Sequence, residues 1–178
     1  MIAGIDEAGR GPLAGPVVAA AVILLQPING LNDSKKLTKS KRAQLFSQIT
    51  QNAYWAYATG SVDEIDSINI LNATKLAMKR SILALPGSPS KVLIDGRDIV
   101  ECGIPAEAII KGDQKELCIM AASIVAKHVR DLMMESISYR HPEYGFAKHA
   151  GYPTAMHKEM IRLHGKTPYH RKSFCRDK

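Results

Sequence analysis

Four carboxylates close short apolar runs, and that placement restricts the fold more than any other feature of the chain. Asp6 and Glu7 follow Met1-Ile-Ala-Gly-Ile, Asp95 follows Lys91-Val-Leu-Ile, and Asp113 follows Ala108-Ile-Ile-Lys-Gly. Each run has strand character. A carboxylate against apolar neighbours is costly unless something neutralises it. Strands lying side by side in one sheet would gather these acids at one spot. Hard divalent cations, Mg²⁺ or Mn²⁺, are the usual partner of such a cluster and keep positions open for phosphate. Taken singly, each acid has a plainer reading: Asp95-Gly96 as a turn, Gly112-Asp113 as a helix N-cap. Their joint occurrence favours a metal site.

The first acidic pair leads into Gly9-Arg10-Gly11, with Gly15 close behind. Such spacing lets backbone groups approach an anion or a sugar. It is not the phosphate loop that ends in Gly-Lys-Ser/Thr. With 178 residues and 46% hydrophobic content, the chain is long enough for one domain with a proper core. The longest apolar run, Val17 to Leu25, is too short to cross a bilayer. The polar N-terminus reads as free of a signal peptide. Three cysteines without metal-ligand spacing read as reduced thiols of a cytoplasmic protein. Charge is uneven. Residues 1–139 carry 15 Lys and Arg against 14 Asp and Glu, whereas residues 140–178 carry 9 against 3. A basic segment beside an acidic metal site suits a polyanionic substrate. Five of the six histidines also fall in that segment.

Apolar patterning predicts strands over 1–6, 17–25, 54–62, 91–95 and 106–110. Helices are expected from a cap at Thr38 or Ser40, carrying Leu45, Phe46 and Ile49 inward, and from a capping box at Asp63–Asp66 toward Pro86. A long helix is expected over about 114–137 and a shorter one over 154–164. This order predicts an α/β fold: a mixed five-stranded sheet flanked by helices, antiparallel at its start and parallel later, with a small helical C-terminal extension.

Several ordered motifs resemble those of ribonuclease HII, the type 2 ribonuclease H: Asp6-Glu7-Ala-Gly9-Arg10-Gly11-Pro12, Asn32-Asp33-Ser34-Lys35-Lys36-Leu37, Leu93-Ile94-Asp95-Gly96, Lys111-Gly112-Asp113, Ala121 to Lys127 with Arg130-Asp131, His141 to Phe146, His149-Ala-Gly151-Tyr152, and His170-Arg171-Lys-Ser173-Phe174. The resemblance covers nearly the whole chain. It implies a ribonuclease H-like fold and endonucleolytic cleavage of RNA in RNA·DNA hybrids. It also implies incision 5′ of single ribonucleotides in duplex DNA, leaving 3′-hydroxyl and 5′-phosphate. Asp6, Glu7, Asp95 and Asp113 carry over as metal-binding catalytic acids. Gly9, Arg10 and Gly11 carry over as readers of the ribose 2′-hydroxyl, and Tyr152 as an aromatic that stacks on the neighbouring deoxynucleotide. Ala150 departs from a common Lys, and Cys118 and Met120 from Ser and Ala. The first strand is expected almost at the first residue, and by the resemblance the N-terminal substrate-binding domain of the sister family, ribonuclease HIII, is not expected.

Two metal ions would satisfy the needs of phosphodiester hydrolysis, with Asp6 as the bridging ligand because its strand is expected to be central. Lys35, Lys36, Lys148 and Arg171 are candidate phosphate contacts. His149 and His157 read as structural or phosphate-contacting. The expected partner is RNA·DNA hybrid or ribonucleotide-containing duplex, bound by a monomer with no membrane contact; sequence alone does not establish contact with a sliding clamp. Two further readings are a resolvase-like nuclease of the same fold and a non-catalytic hybrid-binding module. Four intact carboxylates argue against the second, since without metal they would repel the ligand.

Overall fold

A computed structural model describes residues 1–32 and 34–175; Asp33 of the second motif and the last three residues lie outside them. The strands are β1 (Ile2–Ala8), β2 (Val17–Leu24), β3 (Ala53–Gly60), β4 (Lys91–Asp95) and β5 (Ala106–Ile109). They form one sheet in the order β3-β2-β1-β4-β5. β1 and β2 pair antiparallel, as do β2 and β3, whereas β4 runs parallel to β1 and β5 parallel to β4. β1 is therefore central, as expected for the strand that carries Asp6. The helices are α1 (Lys39–Asn52), α2 (Val62–Leu83), α3 (Leu117–Arg140), α4 (Phe146–His149) and α5 (Ala155–His164). No described helix is long and apolar enough to cross a membrane.

Strand alternation divides the core into two layers. Val18, Ala20 and Val22 pack with Leu45 and Ile49 of α1 and with Ala121, Ile124 and Val125 of α3. Their neighbours Ala19, Ala21 and Ile23 face the other way, toward Ala77, Met78 and Ile82 of α2. Helices on both faces explain why β2 reads as an unbroken apolar run rather than an alternating one. Close packing of α3 on β1 depends on Gly4, where a Cβ would collide with the backbone of Cys118.

Three expected boundaries shift for physical reasons. The box at the start of α2 is formed by Ser61 and Glu64, not by Asp63–Asp66. Ser61 supplies the N-cap hydroxyl and Glu64 the carboxylate three residues on, and this also ends β3 at Gly60. Asp66 instead accepts hydrogen bonds from the backbone of Lys172 and Ser173 at 2.9 Å each and so ties down the tail. Within α2, Asn69 takes a left-handed φ of 68° and breaks the helix, and its side chain recaps the chain at Asn72. Leu71 stands just past this break and is exposed. The long helix starts at Leu117 rather than near 114, because Gly112–Gln114 forms a separate 3-10 turn.

Candidate active site

The sheet register builds the acidic cluster. Ile5 pairs with Ile94 in parallel, so Asp6 and Asp95 follow as neighbours on adjacent strands. Gly4 and Asp6 share the face toward α3, where the Ser123 hydroxyl hydrogen-bonds to Asp6. Ser123 is held in turn by Ser34, Oγ to Oγ at 2.7 Å. Asp113 arrives on the 3-10 turn, introduced by Lys111 at φ 57°. Asp95 fixes that turn, its Oδ1 accepting from the Gly112 amide at 2.7 Å. Asp113 is not the cap of the long helix; Glu116 occupies the N-cap position of α3. As a result Asp6, Asp95 and Asp113 bring carboxylate oxygens within 4.8 Å of one another. Glu7 stands outside this trio.

The cluster is electrostatically strained without a cation. Burial, followed by the charges of Glu7 and Asp95, holds the Asp6 carboxyl well above the usual carboxylate range, although the Glu7 amide donates to it at 2.7 Å. Burial also raises Glu7, partly offset by the Arg10 guanidinium 3.5 Å away. Lys35 reaches Asp113 at 4.0 Å. The donors are all carboxylate oxygens, two of the three residues are buried, and repulsion among them favours a bound cation. That set fits Mg²⁺ or Mn²⁺.

Beside the acids, a cavity of about 230 Å³ is lined by Glu7, Gly9, Arg10, Gly11, Lys35, Lys127 and Tyr152, among others. Gly9 turns at φ 95°, and a Cβ there would collide with the Arg130 side chain. Tyr152 is 41% exposed, with the Arg130 guanidinium 5.9 Å from its ring centre. Lys148 is exposed on α4 in the adjoining concavity, which shares Lys127. Lys36 is exposed one residue beyond Lys35.

Arg171 requires a correction. It is fully buried and donates to the carbonyls of Gly15 at 2.9 Å, Arg10 at 2.9 Å and Gly9 at 2.5 Å. A side chain sealed in this way cannot contact a duplex phosphate. The same bonds turn the Gly9 and Arg10 carbonyls of this loop inward, away from the substrate side. His149 and His157 also bond inward, to the carbonyls of Tyr144 and Tyr152. Sequence reasoning passed over Ser34, Ser123 and Lys127 as site residues. Ser123 and Lys127 lie four apart on α3, a spacing that puts both on one helix face.

The ribonuclease HII sequence-family model matches residues 3–177. Ribonuclease HII of Maricaulis maris is 53% identical over 98% of this chain and 81% of its own length. Ribonuclease HII of Idiomarina loihiensis is 53% identical over 98% of this chain and 95% of its own length. Among solved structures, the ribonuclease HII of Archaeoglobus fulgidus in complex with PCNA superposes with a TM-score of 0.84 at 26% identity, covering 100% of this chain and 96% of that one. With the mixed sheet and flanking helices, these similarities establish a ribonuclease H-like fold, and the chain belongs to the ribonuclease HII family.

Proposed function

We propose that the acidic end of the sheet is a two-metal centre that hydrolyses a phosphodiester on the 5′ side of a ribonucleotide, in RNA·DNA hybrids and at single ribonucleotides within duplex DNA. The coarser activity follows from family membership: the chain is an endoribonuclease H that cleaves RNA paired with DNA. The observation that carries the finer reading is the meeting of Asp6, Asp95 and Asp113 carboxylates within 4.8 Å beside a glycine-lined cavity.

In this reading Asp6, Asp95 and Asp113, with Glu7 beside them, would hold the ions. When bound, paired divalent ions activate a water and neutralise charge on the leaving 3′-oxygen. The protein's own residues orient and discriminate. Ser123 holds Asp6, and Asp95 holds the turn that delivers Asp113. The Gly9–Gly11 backbone lies close enough to the cavity to read a 2′-hydroxyl, the group that separates RNA from DNA at a given site. Tyr152 presents an exposed ring on which a neighbouring base can stack. Lys35, Lys36 and Lys148 lie on the surface around the site and suit phosphate contacts.

The test is incubation with a duplex containing one ribonucleotide, with and without Mg²⁺ or Mn²⁺. A single metal-dependent cut leaving 3′-hydroxyl and 5′-phosphate is expected. Cleavage of the hybrid but not of the lone-ribonucleotide duplex would reject the finer reading, as would cleavage without metal.

A further inference from the structure

We propose that His170 and Arg171 form one positioning unit that fixes both substrate-reading elements, Arg171 through the Gly9–Gly11 loop and His170 through His157 and the backbone of Tyr152. This rests on the proposed roles of that loop and of Tyr152.

His170 and Arg171 are adjacent, and both are buried. The backbone here is stitched to the loop after β1: Arg171 N–H donates to Leu13 O at 2.8 Å, and Leu13 N–H donates to Gly151 O at 2.8 Å. One strip of tail therefore touches both reading elements. On one side, the Arg171 fork holds the carbonyls of Gly9 and Arg10. Among the described residues all peptide bonds are trans, so each carbonyl here points opposite to the amide that follows it. The amides of Arg10 and Gly11 therefore point away from Arg171, toward the side of the loop that lines the cavity. They form a donor pair suited to the oxygen of a 2′-hydroxyl.

On the other side, hydrogen bonds fix the histidine protons. Thr167 N–H donates to His170 Nδ1 at 2.9 Å, so a neutral His170 carries its proton on Nε2. That Nε2 lies 3.1 Å from His157 Nε2, which must then accept. His157 keeps its own proton on Nδ1, 2.9 Å from the carbonyl of Tyr152. The chain from Thr167 to Tyr152 has one donor and one acceptor at every link. It sets the peptide that carries the stacking ring.

The experiment pairs variants so that positioning separates from mere folding. KM for a lone-ribonucleotide duplex is measured for Tyr152→Ala, His157→Leu, His157→Asn and the double variant Tyr152→Ala/His157→Leu. Tyr152→Ala and His157→Leu should each raise KM about tenfold, the scale of a lost base stack. The double variant should be no worse than Tyr152→Ala alone. His157→Asn, whose amide replaces the Nδ1 donor, should restore most of the loss. If Tyr152→Ala changes nothing, the stacking role itself is wrong. If Tyr152→Ala is impaired but His157→Leu is not, or if the two losses multiply, the histidine arm is rejected. For Arg171→Lys, which cannot span three carbonyls, affinity is compared between the lone-ribonucleotide duplex and the same all-DNA duplex. That ratio should fall about tenfold, the cost of a mispositioned hydrogen bond to the sugar. Equal weakening of both duplexes, or no change, would overturn the arginine arm.

Discussion

Asp6 carries a strongly disfavoured charge, and function explains why it is kept. It is buried, with Glu7 and Asp95 beside it, and its carboxyl is pushed up accordingly. Asp6→Asn keeps the shape and the Ser123 contact but removes the repulsion. We expect metal-free Asp6→Asn to melt above the wild type, by about 1 kcal/mol of added stability, while cleavage falls below about one-hundredth. Calorimetry with a cleavage assay checks both; a lower melting temperature would mean that the charge is structurally compensated. The opposite balance holds at His170. Burial, then the neighbouring His157, lowers its pKa to about 4, and His141 and Lys166 add positive charge nearby. The unfolded chain then binds a proton that the folded chain refuses. Stability from this group is complete above about pH 6.5 and is lost as pH falls from there toward 4. Between pH 7 and pH 5 the wild type should lose about 2 kcal/mol of its stability advantage over His170→Gln. Melting curves of both proteins at the two pH values measure that difference, and carboxylate contributions common to both cancel.

At the scale of elements, the contact of α3 with β1 matters most, because it delivers Ser123 to Asp6 and Lys127 to the wall of the adjoining cavity. Gly4 permits it. Gly4→Ala would force α3 away from the sheet at Cys118, at a cost of about 2–3 kcal/mol. Activity should fall in step, since the helix displaced is the one that holds Asp6. A variant with normal melting and turnover would show that α3 can yield without disturbing the site. The sequence exposed most of this architecture. β4 was legible to the residue because Lys91-Val-Leu-Ile-Asp95 is a short apolar run between turn signals. The cap of α1 at Thr38 was one of the two hydroxyls, Thr38 and Ser40, that precede its helical pattern, whereas Thr154, expected within α5, is its cap. What escaped was local competition. Asn69 interrupts α2 because its short amide serves as a second cap inside an otherwise helical pattern. The turn at Gly112–Gln114 delays α3 because Asp95, distant in sequence, supplies its acceptor.

For the whole molecule, composition showed a basic tail but not where its charges point. The acids could be read because strand ends show as the ends of apolar runs. The destination of Arg171 could not, since its three acceptors lie more than 150 residues away in sequence. Arg162 is likewise partly committed, paired with Glu159 at 2.7 Å. Lys148 is the better test of phosphate contact, because it is exposed on α4 next to a concavity that shares Lys127 with the site. Each duplex phosphate neutralised releases counterions and steepens the fall of log affinity with log salt by about 0.9, taking the B-form value for a hybrid. Lys148→Ala should therefore weaken binding to every duplex sequence alike and shallow that slope by about one. Arg171→Met, which deletes the charge, should leave the slope unchanged, because a guanidinium sealed beneath the Gly9–Gly11 loop displaces no counterion. Anisotropy titrations over a series of salt concentrations distinguish the two. An unchanged slope in Lys148→Ala would remove α4 from the duplex footprint, and a shallower slope in Arg171→Met would mean that the loop opens to let that charge reach the nucleic acid.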